Sequence, residues 1–481
     1  MLEQLAHILL STSVISAEIC LVLGIVFLTT LVAFGKKTSA YKTTAWLLTL
    51  VVTLLAFALV FQTDSATLSI FNGLFESTAV STLGKELTLI TTLIILIHLK
   101  VMGYDLDTEY YIVLLTMVMG LLFLLMSNHF LSIFIALETV SICSYILVAM
   151  NGNKSNLEAG IKYLIFGGAS TAFMLFGMSL FFGITGSMNF SSAAFQSQVL
   201  LNPSWAILGS FGLTLAGPLF KLSAAPFHIW APDVYEATPT PLISFLSVAP
   251  KIAAIFLIYK LLVHIPVDAS FLLSFVILLS ILIGNFAAIS QTNAKRMLGY
   301  SGIAQAGFIL IGLLAFQSSG FQASVFYLAV YLFMSTGSFL LLDMIEKQTG
   351  SNEFKAMAGL SQRFIFLSIL GLIFMIGLVG LPPSSGFTAK FLVFSSLYEQ
   401  YASSGEKILL WVLAFGLLNT AVSIYYYLKI PYFMFLKKAE QPVNTGKIPL
   451  LQVIFLTILG TLVLALFFAP QWVQDTLQGI F

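Results

Sequence analysis

The chain has 481 residues, of which 59% are hydrophobic and 9% charged, and its formal net charge is +1. Soluble proteins of ordinary composition carry about 25% charged residues, so this composition excludes a soluble globular protein and indicates an integral membrane protein. The small net charge implies no nucleic-acid partner. The two cysteines, Cys20 and Cys143, lie far apart in predicted spans and indicate neither a disulfide framework nor a metal motif.

Apolar runs of about 20 residues recur along the whole chain, which is the length that a helix needs to cross about 30 Å of hydrocarbon. The first run lacks a basic n-region and a small-residue cleavage site, so we expect a retained helix and not a signal peptide. The runs predict about fourteen spans. In chain order they are 14–34, 44–62, 84–102, 110–126, 128–150, 156–184, 204–230, 239–264, 270–292, 297–316, 321–345, 364–398, 408–435 and 450–469.

Most loop lysines and arginines follow odd-numbered spans, whereas Lys85 and Lys407 are among the few that follow even-numbered ones. Basic residues concentrate in cytoplasmic loops. We therefore expect the odd-numbered loops on the cytoplasmic or matrix side and both termini in the opposite compartment.

Two spans carry helix-breaking residues around a lysine. The seventh span reads LTLAGPLFKLSAAPFHIWAP around Lys221, and the twelfth reads LVGLPPSSGFTAKFLVF before Lys390. Proline lacks a backbone donor and clashes with the preceding turn, so both helices should break near mid-membrane. Because the two spans are five apart, and an odd separation reverses topology, spans four to eight and nine to thirteen are predicted to be inverted repeats.

This arrangement predicts an all-α polytopic membrane protein with four segments. They are a three-helix segment at 1–103, a first five-helix repeat at 104–266, a second, inverted repeat at 267–438 and a C-terminal helix at 439–481.

Few ionisable residues lie well inside the predicted spans, and each costs roughly 2.5–3.5 kcal/mol at a helix centre on insertion scales unless it meets water or a partner. They are Glu138, Lys162, Lys221, His228, Lys251 and Lys390. Each has a structural interpretation: a fixed salt bridge for Glu138, snorkelling to the interface for Lys162, and binding of carbonyls freed at a break for Lys221, His228 and Lys390. Lys251 lies too deep to snorkel easily.

The functional interpretation treats these residues as a set. A buried lysine that gains and loses a carboxylate partner can bind and release a proton near neutral pH, and Glu138 and Lys221 make such a switching pair. Lys221 and His228 are seven residues apart, about 10 Å if the backbone between them is helical, which is a gap for ordered water. Lysines in the sixth, seventh, eighth and twelfth spans then form a line of protonatable sites.

Nucleotide and redox motifs are absent from the sequence. There is no GxGxxG, no GxxxxGK[ST] and no CxxC, and a single histidine deep in a span makes an internal bis-histidine haem unexpected. We therefore expect a chain that moves charge without cofactor or metal chemistry of its own.

The motifs resemble those of the antiporter-like membrane subunits of respiratory complex I. The resemblance rests on GPLFKLSAAPFHIWAPDVYEATPTPLISFLSVAPK, on ALE in the fifth span, on NAKRMLGYSGIAQAGF entering the tenth and on GLPPSSGFTAKF in the twelfth. It covers roughly residues 110–435. Within this family, the chain is most similar to the subunit N (mitochondrial subunit 2) branch, because it has the segment HIWAPDVYEATPTP and lacks a long C-terminal lateral helix.

The resemblance implies a proton-translocating subunit of NADH:quinone oxidoreductase with a family glutamate at Glu138 and family lysines at Lys221, Lys251 and Lys390. Lys162 and His228 match supporting positions. NADH, flavin, iron–sulfur clusters and quinone are then expected in other subunits, with further membrane-arm subunits on both sides of this chain. The membrane is then the bacterial inner membrane or the mitochondrial inner membrane.

The sequence departs from the family pattern at one position. Many relatives carry a histidine where this chain has Gln305, whose amide orients water but does not titrate. Any relay step through the tenth span is therefore in doubt, and Gln305 is equally well interpreted as a helix-contact residue.

Three alternative functions remain open. A subunit of a multi-subunit cation/proton antiporter or of a membrane-bound hydrogenase shares the same core. A structural scaffold would use the charges as fixed salt bridges. A stand-alone solute carrier is disfavoured, since no anionic or aromatic substrate pocket is evident.

Overall fold

The computed structural model describes residues 11–34, 39–62, 67–438 and 446–480. Within these ranges the chain is predominantly α-helical, with one short β-hairpin. Residues 1–10 of the predicted N-terminal segment and residues 439–445 and 481 of the predicted C-terminal segment lie outside the described residues.

In the first half of the chain, two helices precede the hairpin and the other helices follow it. They are α1 (Ser16–Phe34), α2 (Ser39–Gln62), β1 (Leu68–Ile70), β2 (Phe75–Ser77), α3 (Ala79–Val101), α4 (Thr108–Met126), α5 (Phe130–Ala149), α6 (Lys154–Thr185), α7 (Ala193–Leu201), α8 (Ser204–Thr214), α9 (Ala216–Leu222), α10 (Trp230–Ala237), α11 (Thr240–Leu246) and α12 (Ala249–His264).

The second half contains two short 3-10 turns besides its α-helices. The helices are α13 (Ser270–Ile289), α14 (Ala294–Leu313), α15 (Ser318–Thr349), α16 (Ile365–Val379), α17 (Ser385–Ser404), α18 (Lys407–Tyr427), α19 (Lys429–Phe435), α20 (Leu450–Phe468) and α21 (Gln471–Ile480).

Twelve helical stretches in the described ranges are long and apolar enough to cross a membrane. They match all predicted spans except the tenth and the twelfth, which correspond to α14 and to the broken pair α16–α17. The predicted class, an all-α polytopic membrane protein, is confirmed, and twelve of the fourteen predicted spans contain such a stretch.

The third helix of each predicted repeat is unusually long. Both α6 and α15 have 32 residues, about 48 Å at 1.5 Å per residue. Each ends in the sequence Thr-Gly-Ser, with the glycine in the left-handed region at Gly186 (φ +68°) and Gly350 (φ +75°). The threonine hydroxyl then donates to the serine carbonyl, from Thr185 at 3.1 Å and from Thr349 at 3.0 Å. Local sequence therefore stops two equivalent helices in the same way.

Both predicted helix breaks are present. After α9 the backbone leaves the helix at Ser223, whose φ is +61°, and regular helix resumes at Trp230. The amide of Ala225 in this gap donates a 2.9 Å hydrogen bond to Ser280 Oγ on α13. The second break lies between α16 and α17, where Gly380 has φ +85°.

The structure adds elements that the sequence analysis did not predict. The eighth span is also interrupted, at Ser247 and Val248 between α11 and α12. A hairpin, β1–β2, follows α2, and the short helix α7 lies in the loop before the seventh span. Lys85, counted with the basic residues that follow the second span, is the seventh residue of α3, which begins at Ala79 and not near residue 84.

The chain divides into two compact units. One comprises Met1–Lys221 and Ala249–Asp268, and the other Leu222–Val248 and Ala269–Phe481. The four segments inferred from the sequence describe repeats and not compact units, so those limits stay a prediction.

Candidate functional site

Lys221 lies near the end of α9, and its ammonium group is enclosed by aromatic rings. Its Nζ is 5.4 Å from the ring centroids of Tyr145 and Tyr163 and 5.5 Å from that of Phe220. These distances fall in the range of cation–π attraction. Nζ also donates a 3.4 Å hydrogen bond to Ser144 Oγ, and the residue is only 2% exposed. We call these surroundings of Lys221, the rings of Tyr145, Tyr163 and Phe220 with the Ser144 hydroxyl, the chamber. They can hold an ammonium ion without a carboxylate in contact.

Two glycines allow the helices around this chamber to approach closely. A Cβ atom on Gly167 of α6 would lie 1.7 Å from the Tyr145 hydroxyl oxygen. A Cβ atom on Gly217 of α9 would lie 2.4 Å from the sulfur of Met174. Contacts this short would force a neighbouring side chain to move, so glycine at both positions lets the Tyr145 ring and the Met174 side chain keep their places. The glycine of FGG is a sequence signal for this site that was not recognised, and the glycine of AGP was interpreted only as part of the helix-breaking Gly-Pro pair.

Glu138 lies on α5, the helix that also carries Ser144 and Tyr145. It is half-buried, and its Oε1 accepts a 2.6 Å hydrogen bond from the Thr171 hydroxyl of α6. Glu138 and Lys221 form no direct ion pair here, since each is bonded to a hydroxyl instead. The structure thus brings the predicted pair into one region with its members apart.

Lys162 of α6 is the most accessible of the predicted lysines. Its Nζ is 3.0 Å from Glu158 Oε1 one turn earlier, and the two side chains are 42% and 61% exposed. An exposed pair of this kind contributes little to stability. The structure places Lys162 on the surface of this chain, and its relay role stays a prediction.

Lys251 is completely buried, with 0% exposure. It is the third residue of α12, directly after Pro250 and close to the break at Ser247 and Val248. Lys221, Lys251 and Lys390 therefore all lie beside interruptions of a membrane helix, where backbone groups lack their usual helical partners.

His228 lies in the non-helical segment between α9 and α10 and is half-buried. The backbone from Ser223 onward is not helical, so the two-turn spacing considered for Lys221 and His228 does not apply. The supporting role of His228 stays a prediction.

Lys390 of α17 binds the end of the preceding helix. Its Nζ donates a 2.8 Å hydrogen bond to the carbonyl of Val379, the last residue of α16, and lies 4.2 Å from the Phe308 ring centroid. The residue is 4% exposed. A helix C-terminus carries partial negative charge, which favours a cation at this place.

Gln305 of α14 stands at the centre of a buried hydrogen-bond network. Its Nε2 donates to the Leu378 carbonyl at 2.9 Å and to the Tyr427 hydroxyl at 2.8 Å. Its Oε1 accepts from the Tyr327 hydroxyl at 2.5 Å. Ser301 and Tyr427 are themselves hydrogen-bonded at 2.5 Å. Gln305 therefore holds the last turn of α16, one carbonyl before the one that binds Lys390.

The segment DVYEATPTP, which follows the first break, has a structural role. Arg296 at the start of α14 contacts Asp233 at 2.7 Å and Glu236 at 2.8 Å, both on α10. The neighbouring Lys295 donates a 3.0 Å hydrogen bond to the Thr238 carbonyl. The segments DVYEATPTP and NAKR thus fasten α10 to α14.

The sequence analysis also missed a buried ion pair. Lys85 Nζ of α3 lies 2.7 Å from Glu18 Oε1 of α1, with side chains 4% and 1% exposed. In the described part of the chain, no three histidine, cysteine, aspartate or glutamate side chains come together as a metal-binding group.

The fold and these side chains define a class of protein. It is a polytopic helical membrane protein with buried lysines beside broken helices. The family described as NADH:quinone oxidoreductase/Mrp antiporter, transmembrane, matches residues 127–419. The chain belongs to this family, as the sequence analysis predicted.

Similar proteins extend the match beyond this region. NADH-quinone oxidoreductase subunit N 2 of Chloroherpeton thalassium is 37% identical over 379 residues, covering 75% of this chain and 73% of the relative. A chain of respiratory complex I from Thermus thermophilus is 30% identical with a TM-score of 0.80, covering 96% of this chain and 99% of that one. A chain of the Mrp complex from Dietzia sp. has a TM-score of 0.82, covering 97% and 96%, at 18% identity, so it shows the fold alone.

Proposed function

We propose that the chain is an antiporter-like membrane-arm subunit of an NADH:quinone oxidoreductase and that it translocates protons across the membrane. The name of the Chloroherpeton relative and the likeness to a complex I chain support this assignment. The alternative of a cation/proton antiporter subunit has only the shared fold behind it, at 18% identity.

The proton-handling residues are proposed to be Glu138, Lys221, Lys251 and Lys390. The observation that carries the proposal is the buried ammonium of Lys221, held by rings and by Ser144 while its carboxylate partner binds Thr171. A buried lysine without a contacting anion releases its proton far more readily than one in water. Approach of Glu138 would favour the protonated form of Lys221. A change in the distance between the two groups therefore makes Lys221 bind or release a proton.

Lys251 and Lys390 are proposed as the proton-binding sites that follow Lys221 along the translocation path. Lys251 has no exposed surface, and Lys390 is bonded to the carbonyl of Val379 and faces Phe308. A carbonyl and a ring face stabilise the ammonium form, whereas burial penalises it. Lys390 can therefore exist in either protonation state. Lys162 and His228 are proposed as supporting groups.

The redox chemistry is proposed to take place elsewhere in the complex. NADH, flavin, iron–sulfur clusters and quinone then bind other subunits, and this chain is an enzyme component as part of the assembly. Other membrane-arm subunits are expected on both sides, within the bacterial inner membrane or the mitochondrial inner membrane. The apolar residues exposed on this chain, such as Leu164, Ile165 and Phe176 of α6, suit lipid or such neighbours.

The test is a pair of substitutions at Lys221 in the assembled complex. Lys221→Met removes the charge, and Lys221→Arg keeps a charge that does not release its proton. Lys154→Met, an exposed lysine at the start of α6, is the control. NADH:quinone turnover and proton pumping are measured in membrane vesicles after a native gel confirms assembly.

Both Lys221 variants should assemble and lose pumping, and the control should keep it. Full pumping by Lys221→Arg would show that only a fixed charge is needed, and full pumping by Lys221→Met would reject the site. Loss of assembly in both variants, without loss in the control, would favour the scaffold interpretation.

A further inference from the structure

The ion pair between Glu18 and Lys85 lies outside the proposed proton-handling set. Its atoms are 2.7 Å apart and its side chains are almost fully buried. Replacing a buried ion pair by neutral side chains of similar size is often neutral or stabilising. Ionisable residues inside a membrane span are functional in most proteins, because their insertion is costly. A contribution to stability is therefore a weak explanation for the presence of the Glu18–Lys85 ion pair.

Buried threonines extend from the pair into the bundle of α1, α2 and α3. Thr88 and Thr92 on α3 and Thr49 and Thr53 on α2 each have 0% exposure. Each hydroxyl donates to the carbonyl four residues earlier, at 2.7–2.8 Å, so its oxygen can still accept a hydrogen bond. These residues form what we call the threonine column.

Two contacts fix the relative direction of α2 and α3. Trp46 Nε1 donates to the Leu96 carbonyl at 2.8 Å, and Lys42 lies 3.5 Å from Asp105 beyond the end of α3. The helices are therefore antiparallel. Two turns forward from Trp46 on α2 and two turns back from Leu96 on α3 place Thr53 at about the level of Thr88.

The helix that carries Lys251 packs against the same part of α3. A Cβ atom on Gly84, next to Lys85, would lie 3.1 Å from the Phe256 ring of α12. Thr88 is one turn after Gly84 on the same helix face, and Lys251 is five residues before Phe256, about 7.5 Å along the axis.

The direction of α12 decides which α3 residues share the level of Lys251. Lys260 Nζ donates to the Ser127 carbonyl at 3.1 Å, and Ser127 pairs with Phe75 of β2, the strand that leads into α3. The C-terminal end of α12 and the N-terminal end of α3 therefore lie at the same side. The two helices are antiparallel, so Lys251 lies at about the level of Thr88.

We propose that Glu18 and Lys85 form a proton-accepting site at the end of a branch that starts at Lys251 and passes Thr88. This inference rests on the proposed function. A proton leaving Lys251 moves along the Thr88 hydroxyl and bridging water to the free carboxylate oxygen of Glu18. The pair then holds one additional proton, and its release restores the ion pair.

The orientation predicted from the loop charges gives this branch a direction. The N-terminal ends of α1 and α3, where the pair lies, face the compartment opposite to the basic loops. The site is therefore assigned to the release side of the membrane.

The test uses the double variant Glu18→Gln/Lys85→Met, which removes both charges and keeps the volumes. Thr88→Val interrupts the branch and leaves the pair intact. Thr116→Val, a half-buried threonine of α4 with the same kind of carbonyl bond at 2.8 Å, is the control. Protons pumped per NADH oxidised are measured in vesicles carrying the intact complex.

The double variant and Thr88→Val should both pump fewer protons per NADH, and Thr116→Val should match the unmodified complex. An unchanged ratio in the double variant overturns the branch. If the double variant does not assemble, Thr88→Val decides, and an unchanged ratio there overturns the branch as well. Lys221→Met separates the two proposals, because its failure to abolish pumping rejects the proposed function itself.

Discussion

The ammonium of Lys390 binds the carbonyl of Val379 at 2.8 Å, so the lysine of one half-helix holds the end of the other. Its aliphatic chain passes over Gly380, where a Cβ atom would lie 2.8 Å from Lys390 Cδ. Gly380 also has φ +85°, a conformation that side chains other than glycine adopt at a cost. The position of this charge therefore depends on a glycine ten residues away in the chain.

Gly380→Ala is expected to displace Lys390 and to lower pumping in an assembled complex. The backbone penalty is roughly 1–2 kcal/mol, and the clash with the lysine chain adds to it. Gly405→Ala is the matched control, because Gly405 also ends a helix with φ +72° and nothing lies within 4 Å of its added Cβ. Equal losses in the two variants, measured as protons per NADH, would mean that backbone strain alone matters.

Gly167→Ala is expected to disturb the chamber around Lys221. The new methyl group would lie 1.7 Å from the Tyr145 oxygen, so the ring that faces the ammonium must move. Gly168→Ala adds the same methyl group to the next residue of the same helix, where nothing lies within 4 Å. Pumping should fall in Gly167→Ala and persist in Gly168→Ala. Equal pumping by the two variants would show that the position of Tyr145 is unimportant.

The fold was predictable from the sequence because its signals are local. Apolar runs of membrane-spanning length located most crossings, and Gly-Pro and Gly-Leu-Pro-Pro located the breaks near Lys221 and Lys390. The break before Lys251 was missed, because neither Ser247 nor Val248 is a glycine or a proline and the nearest helix-breaking residue, Pro250, comes after them. The hairpin was missed because its strands have three residues each.

The contacts of the site were less predictable, because they depend on packing between distant parts of the chain. Composition identified Lys221 as a buried charge but not the rings of Tyr145 and Tyr163 that surround it. Lys85 was counted with the loop charges because it lay at the predicted start of its span, whereas the helix begins at Ala79 and buries it beside Glu18. Tertiary structure alone brings such pairs together.

Gln305→Leu is expected to destabilise the end of α16. The substitution leaves the Leu378 carbonyl and the Tyr327 hydroxyl without the amide that now bonds them, and each buried unsatisfied group costs about 1–3 kcal/mol. The Tyr427 hydroxyl loses one bond and keeps its bond to Ser301. Gln317→Leu is the control, because its 2.8 Å bond to Gln400 is exposed. Thermal unfolding of the purified complex should begin at a lower temperature only for Gln305→Leu. An unchanged unfolding temperature would show that water replaces the amide.

Lys162→Gln tests whether an accessible lysine takes part in the relay. Its pair with Glu158 is exposed and of the i,i+4 type, worth about 0.3–0.5 kcal/mol, so assembly should not change. If Lys162 supplies protons towards Lys221, Lys162→Gln lowers pumping partly, and Glu158→Gln, which breaks the same pair but keeps the amine, does not. Pumping equal to that of the unmodified complex in both variants would show that Lys162 only carries its charge to the surface. A loss in both would assign the effect to the ion pair, because the amine is still present in Glu158→Gln.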